Sequence, residues 1–115
     1  MRDHSETTLR RQRDFSRVYN RGKSRGSKYV VVLYRENRLG YTRTAFVASK
    51  KVGNSVERNR ARRLMREAYR SFADQVASGY DIVYVARNTI AGKKEDEVEK
   101  NMKTAMNACG LFDKH

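Results

Sequence analysis

The segment Tyr80-Asp81-Ile82-Val83-Tyr84-Val85-Ala86 restricts the possible folds more than any other. Successive side chains of a strand point to opposite faces, and Ile82, Val83, Tyr84 and Val85 leave neither face wet. Such a strand is expected at the centre of a sheet, covered by other elements. Hydrophobic residues make up only 38% of the sequence, so that cover has to come from narrow helical stripes and short strands. At 115 residues the chain suits one compact domain, 1–115, with residues 1–8 and 111–115 expected to be flexible ends.

The chain contains no proline, so glycine and asparagine have to supply its breaks. Leu9, Phe15, Val18 and Tyr19 recur at roughly helical spacing among arginines and predict a short first helix that stops at Asn20-Arg21-Gly22. Tyr29 to Tyr34 is a β-branched and aromatic run and reads as a strand. Thr42 to Ser49 reads as a second, and Asn37 and Gly40 between them suggest a hairpin; residues 22–28 could add a short edge strand. Asn54 and Glu57 stand in capping-box spacing ahead of a helix expected to run to about Ala77. After Gly92, the set Val98, Met102, Ala105, Met106 and Cys109 forms one stripe of a last helix, with Gly110 at its C-terminal cap and Cys109 as an inert buried thiol. The fold class is α/β (α+β): a small two-layer sandwich in the order α-β-β-β-α-β-α, helices against one sheet.

Lys and Arg number 26 against 13 Asp and Glu, a net charge of +13, and the excess is uneven. Residues 1–70 hold 20 basic and 6 acidic side chains, whereas residues 71–115 hold 6 and 7. Self-repulsion of that size favours binding of a polyanion, through the N-terminal part. No apolar run approaches the roughly 18 residues a membrane span needs, and Met1 to Arg13 lacks a signal-peptide core, so a cytoplasmic location and no membrane partner are expected.

On the helix from residue 54, Ala61, Leu64, Met65, Ala68 and Phe72 form the core stripe. Beside it Arg58, Arg62, Arg66 and Arg70 follow at i+4, with Asn59, Arg63 and Arg60 further round. A solvated charged face alternates signs to make i,i+4 pairs, but here Glu57 and Glu67 face six arginines. Guanidinium forks grip phosphates bidentately and stack on bases, which points to RNA or DNA. Phe15 and Tyr19, one turn apart with Arg11, Arg17 and Arg21 around them, have the composition of a single-strand stacking site, though two aromatics on a helix also suit a core. No catalytic constellation is visible. His4 and His115 lie at the two ends, and Glu95, Asp96, Glu97 and Glu99 suit a helix N-terminus without any metal.

The segment from Ser49 to Glu67, Ser-Lys-Lys-Val-Gly-Asn-Ser-Val-Glu-Arg-Asn-Arg-Ala-Arg-Arg-Leu-Met-Arg-Glu, closely resembles the RNR signature of the bacterial ribonuclease P protein family. Asp14 to Gly22 resembles that family's first helix and Tyr80 to Arg87 its last strand, so the likeness spans most of Leu9 to Ala108. It implies a ribosomal-protein-type fold with a left-handed β-α-β crossover, against the usual hand. It also implies two RNA sites. Lys50, Lys51, Asn54, Arg58, Asn59, Arg60, Arg62, Arg63 and Arg66 match positions that bind the catalytic RNA. Phe15 and Tyr19 match a cleft, between the first helix and the sheet, for the single-stranded 5′ leader of precursor tRNA. Family members often carry an aromatic in the strand facing that helix. Here Leu33 stands there, and Tyr29 is taken as the strand aromatic of the cleft.

The resemblance implies that the protein carries no catalytic residue and no metal site. It assists RNA-catalysed removal of the leader, with Mg²⁺ held mainly by the RNA subunit and the substrate. The expected partners are ribonuclease P RNA and precursor tRNA, with no obligatory protein partner. The alternative is a ribosomal or general RNA-binding structural protein with no role in cleavage, and an independent nuclease stands third.

Overall fold

The computed structural model describes residues 8–113; His4, His115 and all but a few residues of the two expected flexible ends lie outside the described residues. The elements are α1 (Gln12–Arg21), β1 (Lys23–Gly26), β2 (Val30–Glu36), β3 (Arg43–Val47), α2 (Ser55–Arg70), β4 (Tyr80–Ala86) and α3 (Glu95–Cys109), in the expected order. The most apolar strand does sit inside the sheet, whose order is β1-β2-β4-β3. β4 pairs antiparallel with β2 from Val30↔Ala86 to Glu36↔Tyr80 and parallel with β3 from Arg43↔Asp81 to Val47↔Val85.

That order overturns the expected β2–β3 hairpin. β4 lies between the two strands, and β3 reaches it through the α2 crossover that a parallel pair requires. With β4 inserted, the most apolar strand has both edges hydrogen-bonded and both faces covered. The Asn37–Gly40 turn signals instead shape an open loop. Arg38 and Gly40 both take positive φ (61° and 78°), and the Asn37 side-chain amide donates to the Tyr41 carbonyl and to Asp81 Oδ1 at 3.1 and 2.9 Å.

The two sheet faces are covered unequally. Val30, Val32, Phe46, Ile82, Tyr84 and Ala86 pack under α2 and α3 against Met65, Phe72, Val98, Met102 and Met106. Tyr84 is fully buried there, its ring stacked on Phe46 at 5.4 Å and its hydroxyl 3.4 Å from Met106 Sδ. The alternate residues Leu33, Ala45, Val47, Val83 and Val85 face α1 and, among the described residues, cluster with Leu9, Phe15 and Val18. Gly22 lets the end of α1 descend onto β2, since a Cβ there would lie 2.4 Å from the Val18 carbonyl oxygen and 2.7 Å from that of Tyr34.

Two boundaries differ from expectation because core residues pull the chain inward. α2 ends at Arg70 rather than near Ala77: Ser71 Oγ donates to the Ala68 carbonyl at 2.7 Å, and Phe72 turns into the core, its ring 5.5 Å from that of Phe112. The tail from Leu111 to Asp113 is held rather than loose. Leu111 is buried, Ala77 N donates to its carbonyl at 2.7 Å, and Asp113 N donates to the Gln75 carbonyl at 2.7 Å. Thr8, the last residue of the expected flexible N-terminal end, bridges to Thr44. Gly110 closes α3 in the left-handed conformation as anticipated, while Cys109 is only half-buried at the core rim, its thiol pKa raised by that burial.

Candidate nucleic-acid interface

The start of α2 is built by a tight local network. Val52 N donates to the Ser49 carbonyl at 3.0 Å and Gly53 N to that of Lys50 at 3.2 Å, so the turn presents Lys50 and Lys51 to solvent. The expected capping box is formed in full: Glu57 N donates to Asn54 Oδ1 and Asn54 N to Glu57 Oε1, both at 3.0 Å. Asn54, expected to touch RNA, therefore has its side-chain oxygen committed to the helix. The capped N-terminus adds a positive end beside the two lysines.

Beyond the cap, Asn59, Arg60, Arg63 and Arg66 are exposed and Arg58 and Arg62 half-buried. Several are held in place without being neutralised. Arg58 donates to Ser55 Oγ at 3.3 Å, Arg62 to Asn59 Oδ1, and Arg60 to the Lys93 carbonyl at 3.3 Å, while the Arg66 guanidinium lies 5.7 Å from the centre of the Phe46 ring. Among the described residues the only ion pair on α2 is Arg70 with Glu67 at 3.5 Å. The other five arginines keep their charge unmatched on one helix, anchored at one edge by β3 and at the other by the loop before α3.

The sheet face under α1 supplies a second surface. Phe15 and Tyr19 lie about 40° apart on one flank of α1; Phe15 is half-buried against the minor core, and Tyr19 is 49% exposed. Beside them Leu33, Val47 and Val85 are only partly covered, giving a shallow apolar floor. Partial burial raises the Tyr19 pKa, so its phenol stays neutral. Leu33 occupies the position facing α1, as the resemblance implies.

Tyr29 does not join this surface. It precedes β2 in a bend, so strand alternation does not govern it, and its ring is buried in the opposite core, with the Lys28 and Lys93 ammonium groups 5.8 and 5.5 Å from its centre. The Asn101 side-chain oxygen accepts from Ser27 Oγ and Tyr29 N, both at 2.9 Å, and secures the bend. Arg11 and Arg17 also fall elsewhere. They line a separate cavity of about 710 Å³ on the other flank of α1, together with Arg21, which was also expected beside the two aromatics, and with Arg13, Arg35 and Arg38, which the sequence reading had not singled out. The spacing of Arg13, Arg17 and Arg21 was a legible signal; Arg35 and Arg38 join them only through the fold.

At the floor of that cavity lie the two buried carboxylates of the chain's described part, Asp14 and Asp81. Arg43 grips Asp81 bidentately at 2.8 and 2.8 Å and reaches Asp14 at 3.3 Å. These hydrogen bonds to Asp81, with the neighbouring negative charges, raise the Arg43 pKa against the opposing effect of burial. The triad fastens α1 to the start of β3 and β4. Among the described residues no three His, Cys, Asp or Glu side chains gather as a metal site, and no helix is long and apolar enough to cross a membrane.

Comparison with known proteins finds relatives of the same fold. Residues 4–110 match the family model described as Ribonuclease P. A ribonuclease P protein component of Alkaliphilus oremlandii is 43% identical over 91 residues, covering 79% of this chain and 80% of the relative. Among solved structures, the RNase P protein from Thermotoga maritima superposes with a TM-score of 0.76 at 31% identity, covering 84% of this chain and 92% of that one. That of Staphylococcus aureus reaches 0.84 at 24% identity, covering 93% and 98%, a likeness of fold.

Proposed function

Since the chain belongs to the ribonuclease P protein family, we propose that it is the protein subunit of a ribonucleoprotein that cuts the 5′ leader from precursor tRNA. The observation that carries this reading is the α2 face, where five arginines stand without carboxylate partners among the described residues beside the Lys50–Lys51 turn. That face and turn bind the RNA subunit through its phosphates. The Phe15–Tyr19 trough takes unpaired leader bases by stacking, a contact that tolerates any sequence.

In this reading the RNA does the chemistry, with Mg²⁺ held by the RNA and the substrate. The chain's own acids are poorly placed to seat the ion: Asp14 and Asp81 are engaged by Arg43, and Glu95, Asp96 and Glu97 follow one another in the first turn of α3. The protein's work is electrostatic and positional. It screens phosphate repulsion between the two RNAs and holds the leader beside the cut, in the cytoplasm, without an obligatory protein partner. A purely structural RNA-binding protein would treat precursor and mature tRNA alike.

Reconstitution with a bacterial ribonuclease P RNA tests the proposal. At low Mg²⁺, where the RNA alone is slow, adding the protein is expected to restore leader removal, and Arg62→Ala with Arg66→Ala to weaken that rescue at unchanged melting temperature. No rescue by the folded protein would refute the reading.

A further inference from the structure

The cavity on the far flank of α1 has no part in either RNA surface above. Arg13, Arg17 and Arg21 recur at i+4 and centre roughly 180° around the helix from Phe15 and Tyr19. Facing them across the cavity are Arg35, at the end of β2, and Arg38 in the loop that follows. The acids present are Asp14, Asp81 and Glu36. Arg43 engages the first two, and Arg17 makes only a 3.7 Å contact with Asp14, leaving Glu36 to oppose the exposed Arg11, Arg13, Arg21 and Arg38 and half-buried Arg35.

Two arginine-bearing walls over a floor whose two carboxylates are balanced by Arg43 and Arg17 form a channel, rather than a scatter of surface charge. A volume of about 710 Å³ suits a stretch of extended polyanion better than a single small anion. We propose that this channel is a third RNA contact, which grips the sugar-phosphate backbone of a strand running along the side of α1 away from the leader trough. The proposal rests on the reading of the chain as an RNA-binding subunit. The backbone phosphates can come from the RNA subunit or from the precursor, and both offer the same chemistry.

The test uses the full chain carrying Arg13→Gln, Arg21→Gln and Arg38→Gln. Its control, Lys94→Gln, Lys100→Gln and Lys103→Gln on the opposite side of the sheet, removes the same charge. Affinity is measured against salt in two arms: protein with ribonuclease P RNA alone, and the reconstituted complex with precursor tRNA. Three lost phosphate contacts should flatten the log–log salt slope by about 2.1 to 2.7, which is roughly 20- to 40-fold in relative affinity between about 50 and 200 mM salt. The effect is expected in one arm, which identifies the source of the strand, and not in the control. An unchanged slope in both arms, or an equal change in the control, overturns the channel. If Arg62→Ala with Arg66→Ala weakens RNA binding while the channel variant does not, only the channel fails; if neither does, the functional reading fails with it.

Discussion

At Gly53 the backbone sits at φ 148°, and a Cβ there would lie 2.4 Å from Glu57 Oε1, the atom that caps Asn54 N. Gly53→Ala should therefore strain the turn and break the capping box together, lowering stability by about 1–3 kcal/mol. A urea midpoint equal to that of the parent would show that the box contributes nothing. Arg43 makes a larger difference, because its side chain is 18% exposed and it is the cation shared by two carboxylates that are 6% and 7% exposed. Arg43→Met leaves Asp81 buried without a cation and Asp14 with only the 3.7 Å contact to Arg17, and losses of about 3–5 kcal/mol are usual for breaking such a group. Chemical denaturation should show a shift of that size, and one below about 1 kcal/mol would mean that water reaches Asp14 and Asp81.

Among the helices, α1 is the one whose two flanks differ in chemistry, aromatic on one and arginine on the other, and Tyr19 is the clean probe of the aromatic flank because it is 49% exposed. Tyr19→Ala should weaken binding of leader-bearing precursor by about 1–3 kcal/mol, at least roughly fivefold, and leave mature tRNA unaffected. Its melting temperature should hardly move. Adding Phe15→Ala should deepen the precursor defect and also lower stability, since Phe15 packs on the small cluster under α1. Equal losses for both tRNAs would assign the tyrosine to the fold instead. For α2, cap and stripe were both readable from Asn54, Glu57 and the spacing of Ala61, Met65 and Ala68. Its end was not, because Ser71 and Phe72 stop the helix through contacts with the last turn and with Phe112.

Across the whole molecule, the charge of +13 is spread over the α2 face, the Lys50–Lys51 turn and the α1 flank rather than concentrated at one point. If about 6 to 10 phosphates are neutralised, affinity for the RNA subunit should fall on the order of 10³ to 10⁵ between roughly 50 and 200 mM salt. A filter-binding titration with a slope near zero would remove phosphate contact as the basis of binding.

The periodicities of the chain determined most of its elements by themselves, because burial of a stripe or of alternate residues is a local demand. Tyr80–Ala86 had to be a covered strand, and six arginines beside an apolar stripe had to stand outside the core. What only the tertiary structure decided is which elements meet. The hairpin between β2 and β3 failed because β4 competes for both of their edges, and pairing energy depends on neighbours far along the chain. Tyr29 lies apart from Phe15 and Tyr19 for the same kind of reason. Strand alternation assigns faces only inside a strand, and the bend held by Asn101, 72 residues away, turns its ring to the other core. Arg35 and Arg38 became part of a basic channel only once α1 crossed the sheet beside them, and the Arg43 triad that holds α1 there links residues 14, 43 and 81 in a way no local pattern records.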